Sequence, residues 1–136
     1  MRRTITIKIE EAGRDLGKSF VLTEMDAERA ESWAIRALLA LTNAGATLPD
    51  TASQLGMAGF AAAGVEALGK LSFDVAKPLL DEMMTCVKYL PPAGPPAMDL
   101  LRGDACQIEE VSTRLKLRMA VLQLHVDFST AGAPQN

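Results

Sequence analysis

Residues 108–128 of the chain carry apolar side chains on two opposite faces of a predicted helix. At about 100° per residue, one stripe contains Ile108, Val111, Leu115, Met119, Leu122 and Val126. The second stripe lies roughly opposite the first and contains Leu117, Val121, Leu124 and Phe128. A surface helix of a small domain needs only one apolar stripe. The second stripe therefore indicates either a central position in the fold or a partner.

The N-terminal segment alternates as a β-strand does. Ile5, Ile7 and Ile9 share one face of residues 4–10, and Phe20 and Leu22 share one face of residues 18–23. The segment between them contains two glycines and an aspartate, which is typical of a hairpin connection. Because an isolated hairpin is barely stable, its apolar face is expected to lie on helices. Its open edge offers pairing to another chain.

Four helices are predicted after the hairpin. The first runs from about Met25 to Asn43, with Thr23 or Asp26 as its cap and Gly45 as its stop. Its half from Trp33 to Leu41 carries charge only at Arg36, which predicts burial nearly all round. The second covers Gly56 to Leu71, a stretch rich in glycine and alanine. The sequence leaves open whether this stretch packs closely as a helix or forms a mobile loop.

The third and fourth predicted helices are separated by a proline-rich connector. The third begins near Ser72 or Asp74, and its apolar positions follow helical spacing: Ala76, Leu79, Leu80, Met83, Met84 and Val87. The connector covers 91–96, and the fourth helix runs from about Cys106 to Phe128. The expected fold is mainly α (α+β), an N-terminal β-hairpin followed by about four helices. Residues 1–128 form a single helical domain with the hairpin, and residues 129–136 are a disordered tail.

Composition narrows the functional classes. The chain is 49% hydrophobic but 4% aromatic, and its net charge is −3. Duplex nucleic acid demands a concentrated basic face, so neither nucleic acid nor a membrane is an expected partner. Cys86 and Cys106 are the only cysteines, and a reduced, cytosolic compartment with both thiols free is expected.

No catalytic, metal or cofactor site is predicted. His125 is the single histidine, and a zinc or nucleophile site needs further ligands or an orienting partner. We interpret it as a solvated or interface side chain. Trp33 and Arg36 are one turn apart and form either an exposed recognition pair or a core tryptophan with an arginine that reaches solvent. The hypothesis for a partner or oligomer interface comprises Leu117, Val121, Leu124, Phe128, Trp33 and Arg36. It predicts that Leu117→Glu with Leu124→Glu weakens association and leaves the fold mostly intact.

The chain resembles the tail assembly chaperones of long-tailed bacteriophages and prophages in its order of elements and in local strings. The strings cover residues 11–25, 30–41, 56–59, 71–84 and 108–115, beginning with EAGRDLGKSFVLTEM. None of them is a catalytic motif.

The resemblance implies a non-enzymatic protein that binds the long, helical tape measure protein and keeps it soluble during tail assembly. It implies self-association into a homo-oligomer, action in the host cytoplasm and absence from the finished virion. A longer form made by ribosomal frameshifting would diverge near Ser129 to Asn136. The alternatives are a structural tail or connector subunit and a small acidic chaperone of a secretion system.

Overall fold

The computed structural model describes the backbone of residues 1–45 and 71–131 and the side chains of residues 1–45 and 71–125. Strand β1 (Thr4–Lys8) pairs antiparallel with β2 (Ser19–Thr23), with Thr4 opposite Thr23 and Lys8 opposite Ser19. The predicted hairpin is thereby confirmed. Phe20 and Leu22 point into the core and are fully buried.

Helix α1 (Ala27–Asn43) begins where its cap was expected. The Asp26 carboxylate accepts a hydrogen bond from the Arg29 backbone N–H at 2.9 Å, the usual role of an N-terminal cap. Gly45 follows the helix with a φ of +85°, a conformation that favours glycine. The predicted all-round burial is wrong, because Ala37 and Leu41 are buried while Ile35 and Leu39 are about half exposed.

Helix α2 (Phe73–Met84) has Ser72 at its N-cap position. Its inner face carries the predicted core positions, with Leu79, Met83 and Met84 buried. Two hydrogen bonds lie at the C-terminal end of the helix. The Cys86 backbone N–H donates to the Met83 carbonyl, and the Thr85 hydroxyl donates to the Glu82 carbonyl.

Two further strands follow α2 where none was predicted. Strand β3 (Val87–Leu90) pairs antiparallel with β2, and β4 (Met98–Asp99) pairs antiparallel with β3. The described residues therefore form a four-stranded antiparallel sheet in the order β1-β2-β3-β4. The mainly helical fold class with only a hairpin is wrong, and the fold is mixed α+β. The proline-rich residues 91–97 form the loop between β3 and β4 rather than a connector between helices.

The reason for this error lies in residues 87–90. Val87 fits the helical spacing of α2, and a strand of four residues is too short to show a period of its own. Pairing decides the structure, since Val87 lies opposite Leu22 and Tyr89 opposite Phe20. The Phe20 and Tyr89 rings meet edge to face, with centroids 5.7 Å apart.

A short 3-10 turn (Gly103–Ala105) leads to the last helix, α3 (Val111–Ala131). This helix begins later than the predicted start at Cys106. It also continues through Ser129–Ala131, which had been assigned to a disordered tail. The predicted second helix, Gly56 to Leu71, lies outside the described residues except for Leu71.

One buried apolar cluster joins the sheet to the helices. It contains side chains from β2, α2, β3 and α3, among them Phe20, Leu22, Met83, Val87, Leu117, Val121 and Leu124. In the described part of the chain, no helix is long and apolar enough to cross a bilayer.

Candidate partner-binding surface

The two apolar faces of α3 have different environments. Leu117, Val121 and Leu124 have relative exposures of 0%, 1% and 3% and belong to the cluster shared with the sheet. These three residues were expected to form a partner or oligomer interface. In the folded chain they are core residues, because the sheet and α2 cover this face. The Phe128 side chain lies outside the described side chains.

The opposite face of α3 is the exposed one. Val111, Leu115 and Met119 are spaced one turn apart, and their relative exposures are 72%, 54% and 53%. Leu122, which continues this face, is half-buried. We call Val111, Leu115 and Met119 the α3 stripe. Ile108, which had been expected to share this face, precedes the helix and is buried.

Asp15 holds the beginning of α3 in place. Its carboxylate, 1% exposed, accepts hydrogen bonds from the backbone N–H groups of Glu109 (3.0 and 3.1 Å) and Glu110 (2.9 Å). These groups precede the first turn of α3, where backbone donors have no helical partners. The β1–β2 loop thus caps a helix almost a hundred residues away in the chain, |i−j| being 94 and 95.

The charged form of Asp15 is strongly favoured. Burial alone would raise its pKa, but Lys18, the Glu109 and Glu110 N–H groups and the Thr113 hydroxyl all stabilise the carboxylate. Together they lower the pKa of Asp15 from 3.8 to about 2. The Lys18 ammonium lies 2.9 Å from the Asp15 carboxylate and also donates to the Gln107 carbonyl at 2.7 Å.

Further ion pairs fix the loop to α3 at the surface. Arg14 donates from Nε to the Glu110 carboxylate at 2.9 Å and from its guanidinium to the Glu109 carbonyl at 2.8 Å. Lys116 pairs with Glu11 from the same loop. Exposed pairs of this kind stabilise a protein only slightly, so the buried Asp15 carboxylate is the main anchor.

His125 joins α3 to the segment before α1. The Met25 backbone N–H donates to His125 Nε2 at 3.0 Å, and His125 Nδ1 lies 2.8 Å from the Val121 carbonyl oxygen. This geometry requires a neutral ring with its proton on Nδ1. His125 is half-buried and hydrogen-bonded within the chain, so it is not a freely solvated side chain.

Trp33 and Arg36 both connect α1 to α2. The indole N–H of Trp33 donates to the Leu79 carbonyl at 2.9 Å, and the Arg36 guanidinium donates to the Glu82 carboxylate at 2.7 Å. Trp33 packs against the core cluster, while Arg36 is exposed. Of the two interpretations offered for this pair, the structure matches the core tryptophan with an arginine that reaches solvent.

Among the described residues, no group of three or more His, Cys, Asp or Glu side chains is arranged so that it could hold a metal ion. Both cysteines are free thiols; Cys86 is buried and Cys106 is half-buried. Burial raises the pKa of the Cys86 thiol, which disfavours the reactive thiolate.

Comparison with known proteins found no matching family model, no similar curated protein and no similar solved structure. The geometry of the residues therefore carries the functional argument, with the α3 stripe as its principal feature.

Proposed function

We propose that this protein is a non-enzymatic assembly chaperone that binds a long helical client through the α3 stripe. The observation that carries the proposal is a helix with one face buried in the core and three large apolar side chains exposed on the other. Residues spaced one turn apart are the anchors with which a helix packs against another helix. In line with the sequence resemblance, the proposed client is the tape measure protein of a bacteriophage tail.

The chemistry of the stripe suits a client with a varied sequence. Val111, Leu115 and Met119 are aliphatic or thioether side chains that make no directional hydrogen bonds, and methionine adapts readily to different partners. Such a surface accepts many apolar helix faces. The Asp15 anchor fixes the start of α3, so the stripe needs little ordering when a client binds. We propose that this binding takes place in the host cytoplasm and that the protein is absent from the finished virion.

Co-expression with a bacteriophage tape measure protein tests the proposal. The wild-type protein is expected to raise the soluble fraction of that client and to co-purify with it. Leu115→Glu with Met119→Glu is expected to abolish both effects while the circular dichroism spectrum stays unchanged. Leu39→Glu, at an exposed apolar position of α1, is the matched control and is expected to behave as the wild type. A client that stays insoluble with the wild-type protein would contradict the proposal.

The free edge of the sheet favours a second candidate, a structural tail subunit. Among the described residues, β1 pairs only with β2 and so occupies one edge of the sheet. An open edge offers hydrogen bonds to a strand of another subunit. Mass spectrometry of purified virions separates the two candidates, because a structural subunit persists in the particle and a chaperone does not.

A further inference from the structure

One edge of the α3 stripe carries two arginines that form no direct ion pair with a carboxylate of the described residues. Arg114 and Arg118 lie one turn apart, next to Leu115 on the helix surface. The Nε atom of Arg118 is shielded from solvent and finds no hydrogen-bond acceptor in the described part of the chain. The nearby carboxylate is Asp81 on α2, and it is held by Lys77 at 2.6 Å.

The neighbourhood of this edge adds to the positive charge. Arg114 lines a groove together with Lys77, Arg102, Asp81 and Asp99, and Asp99 faces Lys88 at 3.7 Å. Burial lowers the pKa of the Arg118 guanidinium and the charge of Arg114 lowers it further, while the Asp81 carboxylate acts in the opposite direction. A partly buried guanidinium next to a like charge is stabilised by a further anion.

The other edge of the stripe differs. Ser112 and Gln123 are neutral, and the charge of Lys116 is paired with Glu11. Among the described side chains, the α3 stripe is therefore bordered by net positive charge on the side facing α2 and by no net charge on the other side.

This asymmetry disfavours a second copy of the chain as the occupant. If a twofold axis ran across the helices, the two α3 helices would be antiparallel and Arg114 and Arg118 would face the same residues of the other copy. If the axis ran along the helices, they would be parallel and the arginine edge would face the edge with Lys116 and Gln123. In the first arrangement like charges face each other, and in the second the described carboxylate on the facing edge, Glu11, is already paired with Lys116.

An anionic membrane is also disfavoured. Helices that bind such surfaces carry many basic residues along their polar face, and here the stripe is bordered by two arginines on a chain of net charge −3. A single line of carboxylates on a partner helix matches two arginines one turn apart.

We infer that the α3 stripe binds an amphipathic helix whose apolar face is bordered on one edge by Asp or Glu, placed to face Arg114 and Arg118. The inference rests on the proposed function, since it specifies the chemistry of the client helix. Guanidinium–carboxylate pairs are strong and geometrically specific, so they would fix the register and direction of a client that the apolar contacts alone leave free.

Three synthetic helical peptides test this inference. They share one leucine stripe and differ at one bordering edge, which carries Glu, Gln or Lys. Binding to the full chain is measured by fluorescence anisotropy at low and high salt. The Glu peptide is expected to bind about tenfold more tightly than the Gln peptide at low salt, and the advantage is expected to shrink as salt rises. The Lys peptide is expected to bind more weakly than both.

Matched variants assign the effect to the arginines. Arg114→Gln and Arg118→Gln are expected to remove most of the advantage of the Glu peptide over the Gln peptide. Lys116→Gln, on the other edge, is the control and is expected to retain the advantage. Circular dichroism verifies that each variant is folded.

The outcomes separate this inference from the proposed function. If the Glu and Gln peptides bind equally well and Leu115→Glu abolishes both, the helix-binding function stands and the role of the arginines is wrong. If none of the peptides binds, both proposals fail. Dimerisation that Leu115→Glu abolishes, or Leu115-dependent binding to vesicles of anionic phosphatidylglycerol, would overturn the inferred occupant.

Discussion

The two faces of α3 differ in environment far more than in composition. Each carries aliphatic side chains at helical spacing, yet Leu117 is fully buried and Leu115, two residues away, is more than half exposed. The sheet and α2 cover the first face, and no comparable layer of described residues covers the second. The comparison teaches that helical periodicity locates apolar stripes, whereas the rest of the fold decides which stripe becomes core.

The largest expected effect separates Leu117 from Leu115. Leu117→Ala is expected to lower the free energy of unfolding by about 3 kcal/mol, because it opens a cavity in a packed core. Leu115→Ala is expected to change it by less than about 0.5 kcal/mol, since the side chain is already largely in solvent. Urea denaturation followed by circular dichroism measures both.

An equal decrease in the free energy of unfolding in Leu117→Ala and Leu115→Ala would contradict the assignment of one face to the core and the other to the surface. The same reasoning reverses an earlier expectation from the sequence: Leu117→Glu with Leu124→Glu should now unfold the domain, because it buries two charges in the cluster. Leu115→Glu with Met119→Glu should leave it folded.

The next effect concerns the anchor that sets the orientation of α3. The pKa of Asp15 is about 2 in the folded chain and 3.8 as its ordinary value. A lowered pKa stabilises the fold above the ordinary value, so this contribution is fully present above about pH 4 and is lost as the pH falls towards 2. It amounts to about 2 kcal/mol.

Asp15→Asn is therefore expected to unfold more easily at pH 7 by about this amount and to lose no further stability through this group on acidification. Thermal unfolding between pH 7 and pH 2 measures the difference. Asp104→Asn, at an exposed position of the 3-10 turn, is the control and is expected to follow the wild type. A pH dependence as steep in Asp15→Asn as in the wild type would show that other carboxylates are responsible.

A smaller effect is expected at His125, which lies on α3 between its two apolar faces. His125→Leu keeps the approximate size of the side chain but removes the acceptor of the Met25 N–H bond, at a cost of about 1 to 2 kcal/mol. Hydrogen exchange at the Met25 amide should become faster in this variant. Unchanged exchange at Met25 would contradict the role of His125 as the link between α3 and α1.

The sequence predicts those parts of the molecule whose structure depends on residues close together in the chain. Alternation at Ile5, Ile7 and Ile9 identifies β1, and the cap at Asp26 places the start of α1 within two residues. Strand β3 is missed because its stability comes from pairing with β2, more than sixty residues earlier, and the spacing of Val87 continues the helical pattern of α2.

The candidate site is predictable only in part. Both stripes of α3 are visible in the sequence, but two equally apolar faces give no sign of which one the sheet covers. Asp15 carries no signal beyond a polar residue in a glycine-containing turn, and its role depends on the backbone of Glu109 and Glu110, which only the folded chain brings near. The arginine edge is visible as a pattern, but the absence of a direct ion pair with a described carboxylate is a property of the packing against α2.

Oxidation of methionine side chains tests most directly the claim that the α3 stripe is exposed and binds a helical client. The native chain has methionines both on the stripe and away from it, so no substitution is needed. Met119 lies on the α3 stripe and Met98 is exposed on β4, whereas Met83 is buried. Brief exposure to hydroxyl radicals, read out by mass spectrometry, is expected to oxidise Met119 and Met98 rapidly in the free protein. When the helical client is bound, Met119 is expected to be protected while Met98 stays reactive and Met83 stays unreactive. A Met119 already protected in the dilute free protein, or equally reactive with the client bound, would contradict the account.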